Sequence, residues 1–364
     1  MKELQSKTRY VGIDLGKKTY HMAVVGKSGK VIMSNGTTYT AGRQGLYKKL
    51  RPEDKVGLEA CSLAFIMAKE MEAAVGCTVY VLNPGRLAII YKSMKKTDKE
   101  DALKLAHILQ DFAEERLPVV PVPSDKEMRR RKLLANSRRA QNNRTRLINL
   151  LHALFVSQGI TSKVRKDLAT EGVRTEAIQE LSGIERDEAE YLLQCLCLSE
   201  KRIEKLEQMI TEEAAGDEEI ERLQSIPGVG PKVAFAFVSH VGAARFENAG
   251  QLSNYLGLVP RVYMSGDTVR YGPITKRGNA YVRALLVQGA WSLVRSNTGG
   301  KLKELYEYMT IEKSKNKKKA IVAVARQLAE MIYTMMRDKT WYEHRKFKPA
   351  KETAAELAQL AISA

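Results

Sequence analysis

Tyr10-Val11-Gly12-Ile13-Asp14-Leu15-Gly16 reads as a strand that ends in a turn, and the N-terminal third is organised around it. An apolar run that stops on a carboxylate puts a charge at the edge of a sheet. Burial there is unfavourable unless a cation or a hydrogen-bonding partner lies close by. His21 to Val25 and Lys30 to Met33 continue as a meander, with Gly26 to Gly29 as its turn. Lys55-Val56-Gly57-Leu58-Glu59 is a short buried strand, followed by a helix from Ser62 to Ala74. Cys77 to Leu82 is a further strand, closed by Asn83-Pro84-Gly85. A helix then begins near Thr97-Asp98 and carries Ala102, Leu105, Ala106 and Leu109 on one face.

Three hairpin-linked strands followed by βαβα is the order of an α/β ribonuclease-H-like domain. The proline-rich break from Leu117 to Pro123 sets its end near residue 122. Residues 123–218 read as a basic helical and coiled-coil region. Arg129, Arg130 and Arg131 open a long helix that carries Leu147, Leu150, Leu151 and Leu154 on one face. Arg131, Arg138, Asn142, Arg146 and Asn149 fall near the opposite face. Leu192, Leu196, Ile203, Leu206 and Ile210 form a heptad-like seam that only Ser199 breaks. A coiled coil and a bundle packed within one chain fit that seam equally well. Residues 219–300 read as mainly α, helical pieces alternating with glycine-rich loops, and 301–364 as a basic helical C-terminal region.

Charge narrows the partners. The 364 residues carry 60 Lys and Arg against 42 Asp and Glu, a net charge of +18. Such a surplus repels itself and suits a polyanion, with nucleic acid ahead of a membrane surface. At 44% apolar residues the chain can build true cores, so wholesale disorder is excluded. No apolar run approaches the roughly 20 residues of a spanning helix. Met1 to Arg9 is polar and carries no hydrophobic signal region, which points to a cytoplasmic, nucleoid-associated protein. Cys61, Cys77, Cys195 and Cys197 lack CxxC spacing and the five histidines stand alone, arguing against structural zinc and a disulfide framework.

Four acids recur at informative places. Asp14 and Glu59 end strands, and Asp98 and Asp101 lie three residues apart at a helix start. If the two strands are neighbours, all four converge on one sheet edge. Carboxylates so placed repel strongly unless divalent cations neutralise them. Hard oxygen ligands suit Mg²⁺, and two ions about 4 Å apart would serve an in-line phosphoryl transfer. Thr97-Asp98-x-x-Asp101 is equally an ordinary helix N-terminus, with a cap and acids near the positive dipole end. Asp14 alone would also fit the phosphate loop of an actin-like ATPase. A P-loop is excluded, since no GxxxxGK[ST] segment exists.

Ser225-Ile226-Pro227-Gly228-Val229-Gly230-Pro231-Lys232-Val233-Ala234 matches a helix-hairpin-helix. Gly228 and Gly230 permit a tight hairpin with exposed backbone N–H groups, and Pro231 fits the first turn of the next helix. Such a surface, with Lys232 on it, grips a phosphate backbone without reading its sequence. A plain packing corner is the alternative. Downstream, Ser265 sits on a glycine-flanked loop near Arg261, Arg270, Lys276 and Arg277, and Asn279 can cap a helix from Ala280 to Arg295. No histidine neighbours Ser265, so triad-type activation is not suggested. Arg129, Arg130, Arg131, Arg138, Arg139 and Arg146 are the expected contacts of the long helix with an RNA or DNA backbone, against the alternative of a solvated helix face.

Val11 to Lys18, Gly57 to Ala60, Lys95 to Ala102 with Leu105-Ala106, and most of Ile226 to Trp291 resemble the DEDD-type insertion-sequence transposases. That family comprises bridge-RNA-guided recombinases with a RuvC-like domain and a C-terminal transposase domain. The resemblance implies that Asp14, Glu59, Asp98 and Asp101 bind Mg²⁺. It implies that Ser265 attacks the scissile phosphate and holds DNA as a covalent phosphoserine intermediate. A structured guide (bridge) RNA would pair with donor and target DNA. A homo-oligomer, dimer or tetramer, would form a composite active site, one subunit's tetrad facing another's Ser265, and would mobilise its own insertion sequence. The family often has a second serine or small residue before the serine-glycine pair, where this chain has Met264. Two other classes remain: a RuvC-like Mg²⁺-dependent junction nuclease that never uses Ser265, and a non-enzymatic nucleic-acid scaffold.

Overall fold

The computed structural model describes residues 8–26, 29–90, 97–161, 167–242, 246–266 and 268–344. Lys95-Lys96 of the acidic motif, Asp267 of the serine loop, part of the Gly26 to Gly29 turn, most of Met1 to Arg9 and the tail beyond residue 344 lie outside them. The chain divides into two compact units, residues 1–124 and 125–364.

The first unit runs β1 (Tyr10–Leu15), β2 (Thr19–Val25), β3 (Val31–Thr37), α1 (Thr40–Tyr47), β4 (Lys55–Glu59), α2 (Ser62–Val75), β5 (Thr78–Leu82), α3 (Pro84–Ile90) and α4 (Asp98–Asp111). Its mixed sheet has the order β3-β2-β1-β4-β5. β1 is antiparallel to β2 and parallel to β4. The strands between residues 10 and 82 and the helices at 62 and 98 match the sequence reading; α1 does not appear in it.

Alternation along the strands separates two faces. Val11, Ile13, Val56, Leu58, Val79 and Val81 pack with Ala64, Met67, Ala68 and Met71 of α2. The other face is made of small residues. Gly12, Gly57 and Ala23 lie side by side in register, and α4 settles into the trough they leave. A Cβ on Gly12 would sit on the Ala102 carbonyl and 2.5 Å from the Ala106 amide nitrogen, so helix backbone rests on strand backbone. Gly57 makes the same room for Leu109. Ala102 and Ala106 complete the contact with Ala23 and Val25, all of them buried.

The second unit is mostly helical: α5 (Asp125–Ser157), α6 (Glu171–Ile178), α7 (Gly183–Ala214), α8 (Glu218–Gln224), α9 (Pro231–His240), α10 (Ala249–Tyr255), α11 (Ala280–Arg295), α12 (Gly300–Glu307) and α13 (Lys317–Asp338). Between α10 and α11 stands a ribbon of β6 (Pro260–Ser265) and β7 (Thr268–Ile274). This ribbon corrects the mainly helical expectation for residues 219–300. Gly257, Gly266, Gly272 and Pro273 gave the segment a loop-like composition, while Val262-Tyr263-Met264 and Thr268 to Tyr271 supply the strands.

The heptad seam is used within the chain. Leu192 and Leu196 of α7 are buried with Leu147, Ile148, Leu151 and Phe155 of α5. Leu206 and Ile210 join Leu133 and Leu134 in a larger core, so the two long helices run antiparallel. Ser199, the break in the seam, is buried and donates its hydroxyl proton to the Ala140 carbonyl, which satisfies it. In the C-terminal half of α5 the buried positions are Leu147, Ile148, Leu151 and Phe155, whereas Leu150 is exposed. The larger core continues through Phe235, Phe237, Leu286, Leu293, Val324, Leu328 and Ile332. The expected boundaries near residues 218 and 300 therefore run through one shared core.

Candidate active site

Asp14 and Glu59 stand two residues beyond the paired Gly12 and Gly57, so they share the face on which α4 lies. The same glycines that admit α4 thus bring its N-terminus to these acids. Thr97 caps that terminus, its hydroxyl accepting from the Glu100 amide, and Asp98 and Asp101 occupy the first turn. The cap reading of this segment holds, and the same first turn carries both acids.

Asp14 lies opposite His21 on β2. Asp14, His21 and Asp98 each offer one ligand atom, and these atoms lie within 4.8 Å of one another. His21 Nδ1 is 3.6 Å from Asp98 Oδ2. Burial pushes the Asp14 carboxyl above the usual carboxylate range, and the negative charges of Asp98, Asp101 and Glu59 push it further; His21 opposes them. The other three expected acids therefore all act on Asp14, but two of them stand outside the inner group. Asp101 is ion-paired to Lys104 at 2.7 Å, and Glu59 is exposed at the end of β4. Two mutually repelling carboxylates and an imidazole nitrogen form a donor set that fits a divalent cation.

The sequence reading left His21 out. Its signal was present in the hairpin: pairing Gly12 with Ala23 puts Asp14 against His21. Treating the histidines as isolated residues hid that register.

In the turn between α8 and α9 the two glycines have different surroundings. Gly228 has φ +83°, and a Cβ there would meet the Leu293 amide nitrogen at 2.5 Å, so it docks the turn on α11. Gly230 is the outward one: it is exposed, precedes Pro231 at the start of α9, and has open space beside it. Lys232 points away from that surface. Its ammonium is 3.5 Å from Glu207 of α7, and burial lowers its pKa.

Ser265 is the last residue of β6, paired with Thr268. It is exposed at the end of a strand, rather than lying in a loop. Register puts Tyr263, Ser265, Thr268 and Arg270 on one face of the ribbon and Val262, Met264, Val269 and Tyr271 on the other. Every one of these side chains is exposed, Met264 to 72%. The base of the ribbon is held far more firmly. Gly257 and Gly278 let residues 275–278 cross tightly against the end of α10. The Arg283 guanidinium donates to the Leu256 and Arg277 carbonyls at 2.8 and 2.9 Å. Asn279 caps α11 as expected, accepting from the Tyr281 and Val282 amides. Arg261, Arg270, Lys276 and Arg277 are exposed around the ribbon. Arg283 escaped the sequence reading because a backbone clamp leaves no motif.

The arginines of α5 divide. Arg130 is buried; its guanidinium pairs with Asp217 at 2.7 Å and lies over the Phe235 ring. It anchors the core and has no surface to offer a phosphate, contrary to expectation. Arg131 donates to the Ser239 carbonyl at 2.8 Å and is half-buried. Arg129 is exposed but paired to Glu213 at 3.0 Å, and Arg138 is exposed while resting over the Tyr281 ring. Arg139 and Arg146 are exposed on the solvent side. No described helix is long and apolar enough to cross a membrane.

Comparison with known proteins gives this geometry its context. Residues 11–158 match the DEDD transposase model of the IS110 group, and residues 220–307 match the model described as Transposase IS116/IS110/IS902 family. The chain is 30% identical over 290 residues to a probable family 20 transposase of Pseudomonas aeruginosa, covering 78% of this chain and 84% of that protein. It is 27% identical over 338 residues to the transposase for insertion sequence element IS1111A of Coxiella burnetii, covering 90% and 89%. The transposase for insertion sequence element IS1328 of Yersinia enterocolitica is 27% identical over 287 residues, 77% of this chain and 82% of that one. The first family model spans the acids of the sheet and α4, and the second spans the glycine hairpin and the serine ribbon. The chain belongs to the IS110/IS116/IS902 family of DEDD transposases, enzymes that act on DNA.

Proposed function

We propose that this transposase is an RNA-guided recombinase that cuts and rejoins DNA to move its own insertion sequence. In this reading the first unit is a ribonuclease-H-like, RuvC-like domain whose Asp14, Glu59, Asp98 and Asp101 hold Mg²⁺. Ser265 of the second unit is the nucleophile. The observation that carries the reading is the seating of α4 on Gly12, which draws Asp98 to Asp14 and leaves Asp14 half-buried among like charges. His21, Lys104 and the N-terminus of α4 offset part of that repulsion, and a divalent cation would neutralise the rest.

A bound divalent ion supplies charge neutralisation for the scissile phosphate and the departing oxygen. The Ser265 hydroxyl forms a phosphoester with the DNA phosphorus as one strand-end oxygen leaves and takes the proton. One P–O ester bond forms as another breaks, so the step can run backwards to rejoin a strand. Arg270 shares the serine's face of the ribbon and is suited to holding that phosphate; Arg261, Lys276 and Arg277 suit its neighbours. The exposed side of the hairpin at Gly230 and the N-terminus of α9 suit a backbone phosphate. Arg139 and Arg146, with Arg129 and Arg138, suit the backbone of the guide RNA or DNA. Sequence choice falls to base pairing by the guide RNA, the protein reading shape. Assembly into a homo-oligomer lets the acids of one protomer serve the serine of another.

The test is to trap the intermediate. Protein, guide RNA, element-end DNA and Mg²⁺ are quenched in detergent, and protein–DNA adducts are mapped by mass spectrometry. The adduct is expected on Ser265, with Ser265→Ala lowering its yield by about 100-fold or more while leaving nucleic-acid affinity nearly unchanged. Undiminished cleavage by Ser265→Ala would replace the serine by water and make the enzyme a junction nuclease.

A further inference from the structure

We infer that His21 is a direct ligand of the divalent ion, making the inner site a mixed nitrogen and oxygen centre of Asp14, His21 and Asp98. The inference rests on the metal-site reading and deepens it. The strand register fixes His21 against Asp14, and the trough of Gly12, Ala23 and Gly57 fixes α4, so three separate elements deliver the three donors. The imidazole is mostly buried, with 19% of its side chain exposed, so its position is set by packing as well as by charge.

The spacing is longer than a good hydrogen bond and leaves the two groups free to face an ion. His21 Nδ1 and Asp98 Oδ2 are 3.6 Å apart, longer than the roughly 2.7–3.2 Å of a good N–H···O bond. Two donors each about 2.1 Å from one ion stand about 3–3.5 Å apart, for octahedral and tetrahedral angles respectively. The observed gap is slightly wider than that span, so a small rotation of either side chain brings both donors onto one ion. An imidazole also changes what the site accepts. Mg²⁺ prefers oxygen alone, whereas nitrogen raises the affinity for later divalent ions in the Irving–Williams order. The site should accordingly hold Mn²⁺ and Co²⁺ more tightly than Mg²⁺, and His21 should be the reason.

The experiment uses the full-length protein with Mn²⁺ as the probe, read by electron spin-echo envelope modulation. Wild type is expected to show ¹⁴N coupling from a directly bound imidazole, and Asp98→Asn to weaken Mn²⁺ binding. His21→Asn is expected to lose the ¹⁴N signal and to lower the Mn²⁺ over Mg²⁺ preference about tenfold, measured by competition. The wild-type spectrum decides even if His21→Asn fails to fold. Stoichiometric Mn²⁺ that depends on Asp98 but shows no ¹⁴N coupling would leave the metal site standing and overturn the role of His21. Failure of Mn²⁺ to bind would overturn both.

Discussion

The acid cluster and the serine ribbon are built in opposite ways. Asp14, Asp98 and His21 are delivered by three elements whose backbones touch, and the contact leaves no room for one extra carbon on Gly12. Among the described residues, the ribbon that carries Ser265 is anchored only at its base, by Gly257, Gly278 and Arg283, and its two faces lie open. A two-stranded ribbon by itself is marginal in water. The comparison teaches where each half of the proposed chemistry would obtain its precision. The acids are positioned by the protein core before any substrate arrives. In the proposed mechanism the serine would be carried on an arm whose final placement comes from what it binds.

Breaking the first half of that contrast should have the largest effect. Gly12→Val drives a side chain into the Ala102 carbonyl and must lift α4 off the sheet. It is expected to destabilise the first unit by about 3 kcal/mol, with loss of divalent-metal binding, read by thermal melting and calorimetry. Tolerance of valine there would mean that α4 is not held by backbone contact. The second half predicts a much smaller response. Met264→Gln and Val262→Thr alter exposed ribbon side chains and should shift stability by no more than about 0.5 kcal/mol in a denaturant melt of the free protein. A loss of several times that size would show a ribbon already packed against other groups, and the contrast would vanish.

How far the sequence carried depended on the kind of information each feature needed. β1, β4 and α4 were readable because apolar periodicity, a terminal acid and a Thr97 cap are local signals. Asn279 and the Gly228–Gly230 hairpin were readable for the same reason. His21 needed the pairing register of a hairpin, which links residues through a turn and not through spacing along one strand. The burial of Arg130 was hidden because its partners, Asp217 and Phe235, lie far along the chain. An arginine-rich helix looks uniformly basic until packing decides which of its faces is inside. The β6–β7 ribbon was masked by glycine and proline at its ends, where composition suggests a loop while the side chains between alternate as in a strand.

The account stands on the acids of the sheet and α4 gathering around a divalent ion, and calorimetric titration of Mg²⁺ into the full-length protein addresses this most directly. Wild type should give a saturable binding heat that Asp14→Asn removes. Without Mg²⁺ at neutral pH, Asp14→Asn should melt about 1–3 °C higher than wild type, a small gain because Asp14 is only partly buried. The sign follows from burial and like charges, which disfavour the ionised Asp14 in the folded state until a cation binds. Equal Mg²⁺ heats in wild type and Asp14→Asn would contradict the account.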